Sequence, residues 1–201
     1  MRFAWIALAL NIAFGIPQAY AARVEKAVGL GLTFFSGNES THLSPDLSPH
    51  VSFSANILQK RINWVNHFEF GFMTGGKNFG GTMGTYTGYF GTYSLGMRVN
   101  LAKESMQPYF ELGPTVGMFA ATVSSPPGTE SKNQTAFKYG YMLGVGFDWL
   151  KTARRGEGTG WGMGFNYFSY FKSPSVFEFS GAALAIQGVK FEFRYLLQPS
   201  K

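Results

Sequence analysis

Apolar and polar side chains alternate with a period of two through most of the chain, and each alternating stretch ends in a cluster of Gly, Pro, Ser, Asn or Thr. Because successive side chains of a β-strand point to opposite faces, this pattern predicts strands with one apolar face. The clearest stretch alternates Leu143 and Val145 with Gly144 and Gly146. The pattern predicts eight strands, at residues 27–35, 50–59, 62–72, 85–101, 109–123, 135–150, 160–171 and 182–196.

The two faces of these strands differ from those of a soluble β-sandwich. In a sandwich the large apolar face turns inward, and the wet face is rich in charged residues. Here the second face is mainly Gly, Ser, Thr and Asn with few charges, which is typical of a narrow polar lumen. The apolar face, interrupted at Asn66, carries aromatic residues near strand ends, as girdles at a membrane interface require: Trp64, Tyr93, Tyr139, Trp149, Trp161, Tyr167 and Tyr195.

Composition narrows the class further. Only 14% of the residues are charged, whereas 26 are Gly and 21 are Phe, which disfavours both a disordered chain and a helical bundle. The absence of Cys excludes disulfides, thiolate metal sites and Cys nucleophiles. The net charge of +6 comes without the basic runs that indicate a nucleic-acid partner.

The first 21 residues have the three parts of a secretory signal peptide. Arg2 is followed by an apolar stretch over residues 3–14 and by Ala19-Tyr20-Ala21, a small-residue cleavage site. The apolar body is shorter than the ~20 residues that a membrane-spanning helix needs, which disfavours an uncleaved anchor. We therefore predict a cleaved signal peptide at residues 1–21 and a barrel domain at residues 22–201.

The predicted connections alternate in length. Short links fall at residues 60–61, 102–107 and 151–159, and longer links at residues 36–49, 73–84, 124–134 and 172–181. Outer-membrane barrels combine short periplasmic turns with longer extracellular loops, so this alternation predicts the same arrangement.

With these features the mature chain resembles the small eight-stranded outer-membrane barrels of the OmpA, OmpX and OmpW kind. The resemblance implies an all-β, antiparallel, up-and-down transmembrane β-barrel in the outer membrane of a Gram-negative envelope, surrounded by outer-membrane lipids and lipopolysaccharide, and monomeric. Residues 187–193 also resemble the last-strand signal recognised by the outer-membrane assembly machinery, carried here by Gly188, Phe191 and Phe193. The chain departs from the family by ending in residues 196–201 instead of a terminal Phe.

Charged residues on the lumen faces suggest how the interior is used. Six of them, three cations and three anions, are predicted in the periplasmic half: Arg98, Glu111, Asp148, Lys190, Glu192 and Arg194. We interpret them as a neutral network that plugs the lumen, because an eight-stranded barrel is just wide enough to be filled by side chains. This favours a structural or surface-interaction role. The alternative is a narrow, porin-like pore for small or apolar solutes, gated by exchanging salt bridges.

A second alternative is chemistry on lipid A. The two-residue link at 60–61 predicts Ser52 opposite Glu69 and Ser54 opposite His67, which brings together the ingredients for acyl transfer. Some outer-membrane barrels are lipid A acyl hydrolases or acyltransferases, but their deacylase family carries its His-x-Ser motif on a late strand. Here the His-x-Ser motif at residues 50–52 lies on the second strand, so we favour polar lumen lining and expect no enzyme.

No cofactor or metal site is predicted. The three histidines, His42, His50 and His67, lack the close ligand spacing of a zinc site. The glycines alternate with apolar residues and do not precede a helix, so they do not form a phosphate-binding loop.

Overall fold

The chain forms eight β-strands in a computed structural model that describes residues 23–36, 47–58, 62–79, 82–101, 105–124, 132–151, 159–171 and 186–197. The strands are β1 (Arg23–Ser36), β2 (Leu47–Leu58), β3 (Ile62–Phe79), β4 (Thr82–Asn100), β5 (Met106–Ser124), β6 (Lys132–Leu150), β7 (Gly160–Tyr170) and β8 (Gln187–Leu197). Each pairs antiparallel with its neighbours in sequence, and β1 pairs with β8 to close the barrel. The predicted eight-stranded antiparallel barrel is confirmed.

Alternation decides which side chains point inward. Along β7 the burial pattern switches at nearly every residue, from Gly160 inside to Trp161 outside and Gly162 inside. The apolar face is the outer one: Leu30 and Phe137 each keep 66% of their surface exposed. A soluble barrel would hide these side chains, so the outer surface is built for an apolar surrounding.

Aromatic side chains border this apolar surface at both ends. At the barrel end where β1 begins and β8 ends, Trp149 of β6 pairs across strands with Trp161 of β7, whose ring centroid is 4.6 Å from that of Tyr195. Toward the other end of β6, Tyr139 is 58% exposed. The strand rise and a tilt of about 40° put Tyr139 and Trp149 about 26 Å apart along the barrel axis, close to the ~25 Å height of a membrane-embedded band.

Asn66 lies on the outward-facing side of β3 yet is only 8% exposed. Neighbouring side chains cover it, and the hydroxyl of Tyr93 donates to its Oδ1 at 2.8 Å. This bond gives the polar interruption of the apolar face a local partner.

The connections differ from the predicted alternation. Most of the predicted loop at residues 73–84 is strand, because β3 and β4 pair out to Phe79 and Thr82 and leave two residues between them. Glycine and threonine in this stretch indicated a loop, but backbone pairing with a neighbouring strand outweighed that preference. The prediction that every link on this side is long was therefore wrong.

Strand ends also shift by a few residues. β1 begins at Arg23 and β8 at Gln187, whereas the predicted starts were residues 27 and 182. The predicted signal peptide, Ala22, His42 and residues 182–185 lie outside the described residues. No helix in the described part of the chain is long and apolar enough to span a membrane.

Candidate functional site in the barrel lumen

The inward faces carry an unusual number of buried charges. Nine charged side chains of the described lumen are at most 3% exposed: Glu25, Glu69, Arg98, Glu111, Lys138, Asp148, Lys190, Glu192 and Arg194. The six network residues predicted from the sequence are among them. Glu25 was missed because it precedes the predicted first strand. Lys138 was left out of the predicted network although its position in the alternation of β6 places it inside.

Four of these charges and one tyrosine form an inner cluster, composed of Arg98, Tyr109, Glu111, Asp148 and Arg194. The guanidinium of Arg98 contacts Glu111 Oε2 at 2.6 Å and Asp148 Oδ2 at 3.3 Å. Arg194 Nη2 contacts the other oxygen of Asp148 at 2.9 Å and donates to the hydroxyl of Tyr109 at 2.6 Å. The Arg98 guanidinium also lies 4.0 Å from the centre of the Tyr109 ring. Asp148 is thus shared by two arginines that come from different strands.

A second group, the central cluster, lies around Glu69 and contains Ser52, His67, Thr92, Lys190 and Glu192. Lys190 Nζ bonds to Glu69 Oε2, which also accepts from the Thr92 hydroxyl at 2.6 Å. His67 Nε2 lies 3.0 Å from Glu69 Oε1 and 3.3 Å from Glu192 Oε2. These contacts join β3 to β4 and β8.

The two clusters correct the predicted grouping of lumen charges. We predicted a single six-residue set in the periplasmic half, separate from Ser52, His67 and Glu69. Instead Lys190 and Glu192 belong to the central cluster, and a 3.9 Å contact from Arg194 Nε to Glu192 Oε1 links it to the inner one. Strands in a barrel tilt by roughly 35–45°, so depth cannot be assigned from strand position alone.

The candidate acyl-transfer residues lie close together, but their hydrogen bonds differ from those of a catalytic triad. The register pairs Ser52 with Glu69 and Ser54 with His67, as the short link predicts. The Ser52 hydroxyl donates to Glu192 at 2.6 Å, whereas a triad needs the serine hydroxyl bonded to the histidine. His67 Nε2 instead faces two carboxylates.

Glycine makes room for these long side chains. A Cβ added to Gly29 of β1 would lie 2.5 Å from Glu192 Oε1 and 3.0 Å from Arg194 Cγ, and it would also overlap Ser52 Oγ. A Cβ at Gly96 would lie 2.8 Å from Glu111 Oε1. Both glycines therefore define the volume that the charged side chains occupy.

An aromatic layer follows the central cluster toward the far ends of β1 and β7. It consists of Phe35, Phe90, Phe119, Phe168 and Tyr170, each at most 4% exposed. The Phe35 ring lies at the middle of the layer, with centroids 5.2 Å from Phe90, 6.3 Å from Phe119 and 5.8 Å from Phe168. Phe90 and Tyr170 follow the inward parity of β4 and β7, but we described the second face as mainly Gly, Ser, Thr and Asn and so missed this layer.

A small apolar cluster lies at the opposite end of the lumen. Ala27, Leu150 and Leu196 come from β1, β6 and β8 and are buried together. Beside them, the Asn56 amide donates to Glu25 Oε1 at 2.9 Å. Charged clusters therefore lie between an apolar layer near the termini and an aromatic layer farther along the axis.

The predicted assembly residues occupy both faces of β8. Phe191 and Phe193 point outward and are 39% and 43% exposed. Gly188 is inside, where an added Cβ would lie 2.8 Å from the Phe168 ring and would overlap the carbonyl of Phe34. The motif is thus an outward aromatic pair beside a sterically constrained glycine.

Histidine and carboxylate groups also approach one another closely enough to bind a metal. Ligand atoms of His50, Glu69 and Glu192 lie within 4.8 Å of one another, and all three residues are buried. We predicted no metal site because the three histidines lack close spacing along the chain. Strand pairing brings His50 to the same lumen level as Glu69 and Glu192, which are distant from it in sequence.

Comparison with known proteins identifies the fold. No protein-family model matches the chain, and no curated protein matches its sequence. Among solved structures, Neisserial surface protein A (NspA) aligns over 87% of this chain and 96% of that chain, at 10% identity and a TM-score of 0.58. The chain has the fold of the small eight-stranded outer-membrane barrels. The predicted resemblance is confirmed at this level.

Two further solved structures align with the chain over most of their length. The major outer membrane protein from Thermus thermophilus aligns over 85% of this chain and 99% of that chain, at 13% identity and a TM-score of 0.52. Ail, the attachment invasion locus protein of Yersinia pestis, aligns over 86% of this chain and 98% of that chain, at 12% identity and a TM-score of 0.44.

Proposed function

We propose that the protein is an integral outer-membrane barrel with a structural or surface-interaction role and a closed lumen. It is exported with a signal peptide that is removed before Ala22, and it lies as a monomer among outer-membrane lipids and lipopolysaccharide. The support is the exposed apolar surface bordered by aromatic rings, on a fold shared with outer-membrane barrels. The assembly machinery recognises β8 through Gly188, Phe191 and Phe193.

The ion pairs that cross the lumen support the proposal that the lumen is closed. Lys190 and Glu69 bond between β8 and β3, and Asp148 of β6 contacts Arg98 of β4 and Arg194 of β8. A pore would require these buried pairs to separate. Separation would leave buried charges without partners in a region of low dielectric constant. The free-energy cost of such unpaired charges exceeds what an ion pair contributes in water.

Long strands support a role at the cell surface. β3, β4, β5 and β6 contain 18 or 19 residues, whereas ~9–11 tilted residues cross the membrane. The excess lies at the ends opposite the start of β1, where β3–β4, β4–β5 and β5–β6 all remain paired. A four-stranded extension of the barrel wall therefore reaches past the membrane and forms the surface available to a partner.

The geometry of Ser52 argues against lipid A chemistry. The residue is 1% exposed, and its hydroxyl bonds to Glu192 instead of His67. A lipid acyl chain would have to enter the filled lumen to reach it. We therefore assign Ser52, His67 and Glu69 to the lumen network.

Conductance in planar bilayers tests the closed lumen. The folded protein should show no stepwise current above that of protein-free bilayers, while a porin in the same bilayers conducts. Regular single-channel steps would support the pore instead. A gel mobility that changes on boiling, together with solubility that requires detergent, would support the membrane barrel, and a stable water-soluble monomer would contradict it.

Two other parts of the proposal, the removal of the signal peptide and the lack of activity on lipid A, can be tested directly. Mass spectrometry of the protein isolated from outer membranes should give a mature chain that begins at Ala22. Purified protein should leave the number of acyl chains on lipopolysaccharide unchanged. An altered number that Ser52→Ala abolishes would restore the enzymatic alternative.

A further inference from the structure

We propose that His50, Glu69 and Glu192 bind a divalent transition-metal cation, with Zn²⁺ as its probe, inside the barrel lumen. These residues lie on β2, β3 and β8, and their ligand atoms are within 4.8 Å of one another. One imidazole with two carboxylates is a donor set that zinc accepts. The site is independent of the proposed surface role.

His50 provides the observation that points to a ligand. The residue is 4% exposed, and its Nε2 has no hydrogen-bond partner among the described residues. Its other ring nitrogen, Nδ1, lies 2.9 Å from Thr33 Oγ1. A buried polar atom without a partner is costly, and a metal ion would satisfy this one.

The Thr33 contact has the form expected around a metal ligand. A histidine that binds metal through one ring nitrogen commonly donates a hydrogen bond from the other, which fixes the tautomer and the ring orientation. If Nδ1 donates to Thr33, Nε2 presents its lone pair to the carboxylates. Gly31 permits this ring position, because a Cβ there would overlap the imidazole.

One oxygen of each carboxylate contacts His67, and the other contacts different neighbouring side chains. Lys190 and Thr92 both bind Oε2 of Glu69, and Ser52 binds Oε1 of Glu192. The remaining oxygens, Glu69 Oε1 and Glu192 Oε2, converge on His67 Nε2 at 3.0 and 3.3 Å.

The site therefore has three protein donors, one each from His50, Glu69 and Glu192. A water molecule would complete the four-coordinate arrangement that zinc accepts. On binding, the ion would take the place of His67 as the partner of the two carboxylate oxygens.

Metal content of the folded barrel tests this proposal. Purified full-length mature protein is treated with a chelator, then exposed to ZnCl₂ both in the folded state and during refolding into detergent micelles, and desalted. Because the site is buried, we expect refolding to load it more completely. Elemental analysis should give about one zinc ion per chain, and no bound zinc after either procedure would overturn the proposal.

Matched variants locate the ion. His50→Gln and Glu192→Gln should each lower zinc affinity at least 100-fold. Glu111→Gln should retain it, since it makes the same chemical change as Glu192→Gln at a residue of the inner cluster that is not a ligand. Thr33→Val should weaken binding by about 10–100-fold, as loss of a supporting hydrogen bond does. Equal retention of zinc by His50→Gln and wild type would exclude His50 as a ligand and overturn the site.

A spectroscopic measurement separates loss of the site from loss of the fold. Gel mobility without boiling first establishes that each variant is folded. Co²⁺ replaces Zn²⁺ and gives intense visible absorption when its coordination is tetrahedral. Folded wild type should show this absorption and folded His50→Gln should lack it, whereas a spectrum of hydrated octahedral Co²⁺ in both would contradict the assignment.

Discussion

Lys190 of β8 bonds to Glu69 of β3 across the lumen, between two strands that share no backbone pairing. Glu69 also accepts from Thr92 and faces His67, so three strands meet at one carboxylate. Such a contact connects opposite walls of the barrel, which backbone hydrogen bonds alone do not do. Its contribution depends on both partners, because a buried carboxylate that loses its cation stays desolvated and unpaired.

Removal of the Lys190 charge should therefore destabilise the barrel strongly. We expect Lys190→Met to lower the free energy of unfolding by about 3–5 kcal/mol, the usual result of breaking a buried ion pair from one side. Urea-dependent unfolding in lipid vesicles, followed by tryptophan fluorescence, measures this change. Lys151→Met removes the same charge from an exposed position and should have little effect.

A double substitution tests whether this loss of stability is electrostatic. In the Lys190→Met background, Glu69→Gln removes the unpaired charge and should recover part of the lost stability. Strictly additive losses from the two substitutions would contradict coupling between these residues.

The free energy of unfolding should also depend on the volume that the lumen leaves for side chains. Gly29→Ala would place a methyl group 2.5 Å from Glu192 Oε1, so the central cluster would have to shift. We expect a loss of about 1–3 kcal/mol in the free energy of unfolding, as for other overpacked interiors. The same vesicle-based unfolding measurement applies.

Gly91→Ala is the matched control for this substitution. Gly91 also lies in a strand, but the nearest atoms to an added Cβ, in Glu69 and Phe70, are at 3.8 Å, which is an ordinary contact. Its effect should stay within about 0.5 kcal/mol. An equal loss from both substitutions would show that strand glycine in general, and not the lumen volume at Gly29, determines the effect.

The sequence predicted the fold well because its information is local and periodic. Alternation assigns Leu143 and Gly144 to opposite faces without knowledge of any other strand, and the sparse charges of the second face distinguish a lumen from a wet surface. The short link after β2 similarly predicts the pairing of Ser52 with Glu69. Each of these inferences depends on neighbours in sequence or across one tight hairpin.

Contacts across the lumen could not be predicted in the same way. Lys190 and Glu69 meet because of the barrel's tilt and closure, which no single strand encodes. The proximity of His50 to Glu192 depends on the pairing of β1 with both β2 and β8. The aromatic layer was missed for another reason: Phe35 and Phe119 were assigned no inward role although their positions share the inward parity of Thr33 and Gly117.

Tryptophan depth should distinguish a membrane girdle from a merely apolar surface. Trp64, Trp149 and Trp161 are outward-facing and 42–57% exposed, and all lie at the barrel end where β1 begins and β8 ends. Aromatic belts sit at headgroup level, so lipids brominated near the headgroup should quench their fluorescence more than lipids brominated near the chain end. Stronger quenching by the deep bromines would contradict the proposed position of the membrane.

The outward aromatic pair on β8 should influence insertion more than stability. Phe191 and Phe193 contact the lipid side and are proposed to be recognised by the assembly machinery, so Phe191→Ala with Phe193→Ala should slow the appearance of folded protein in outer membranes. Pulse-labelled cells analysed by gel mobility without boiling measure this rate.

A control must remove similar apolar surface without altering the last strand. Phe70→Ala with Phe72→Ala serves this purpose, because these two residues are an outward-facing pair on β3 and are 45% and 62% exposed. If β8 carries a recognised motif, the β8 variant should slow insertion in cells well beyond this control, while both variants fold into pure lipid vesicles at similar rates. Equal slowing in cells would mean that lost apolar surface explains the effect, since recognition is specific to β8 whereas burial of apolar area in lipid is common to both strands.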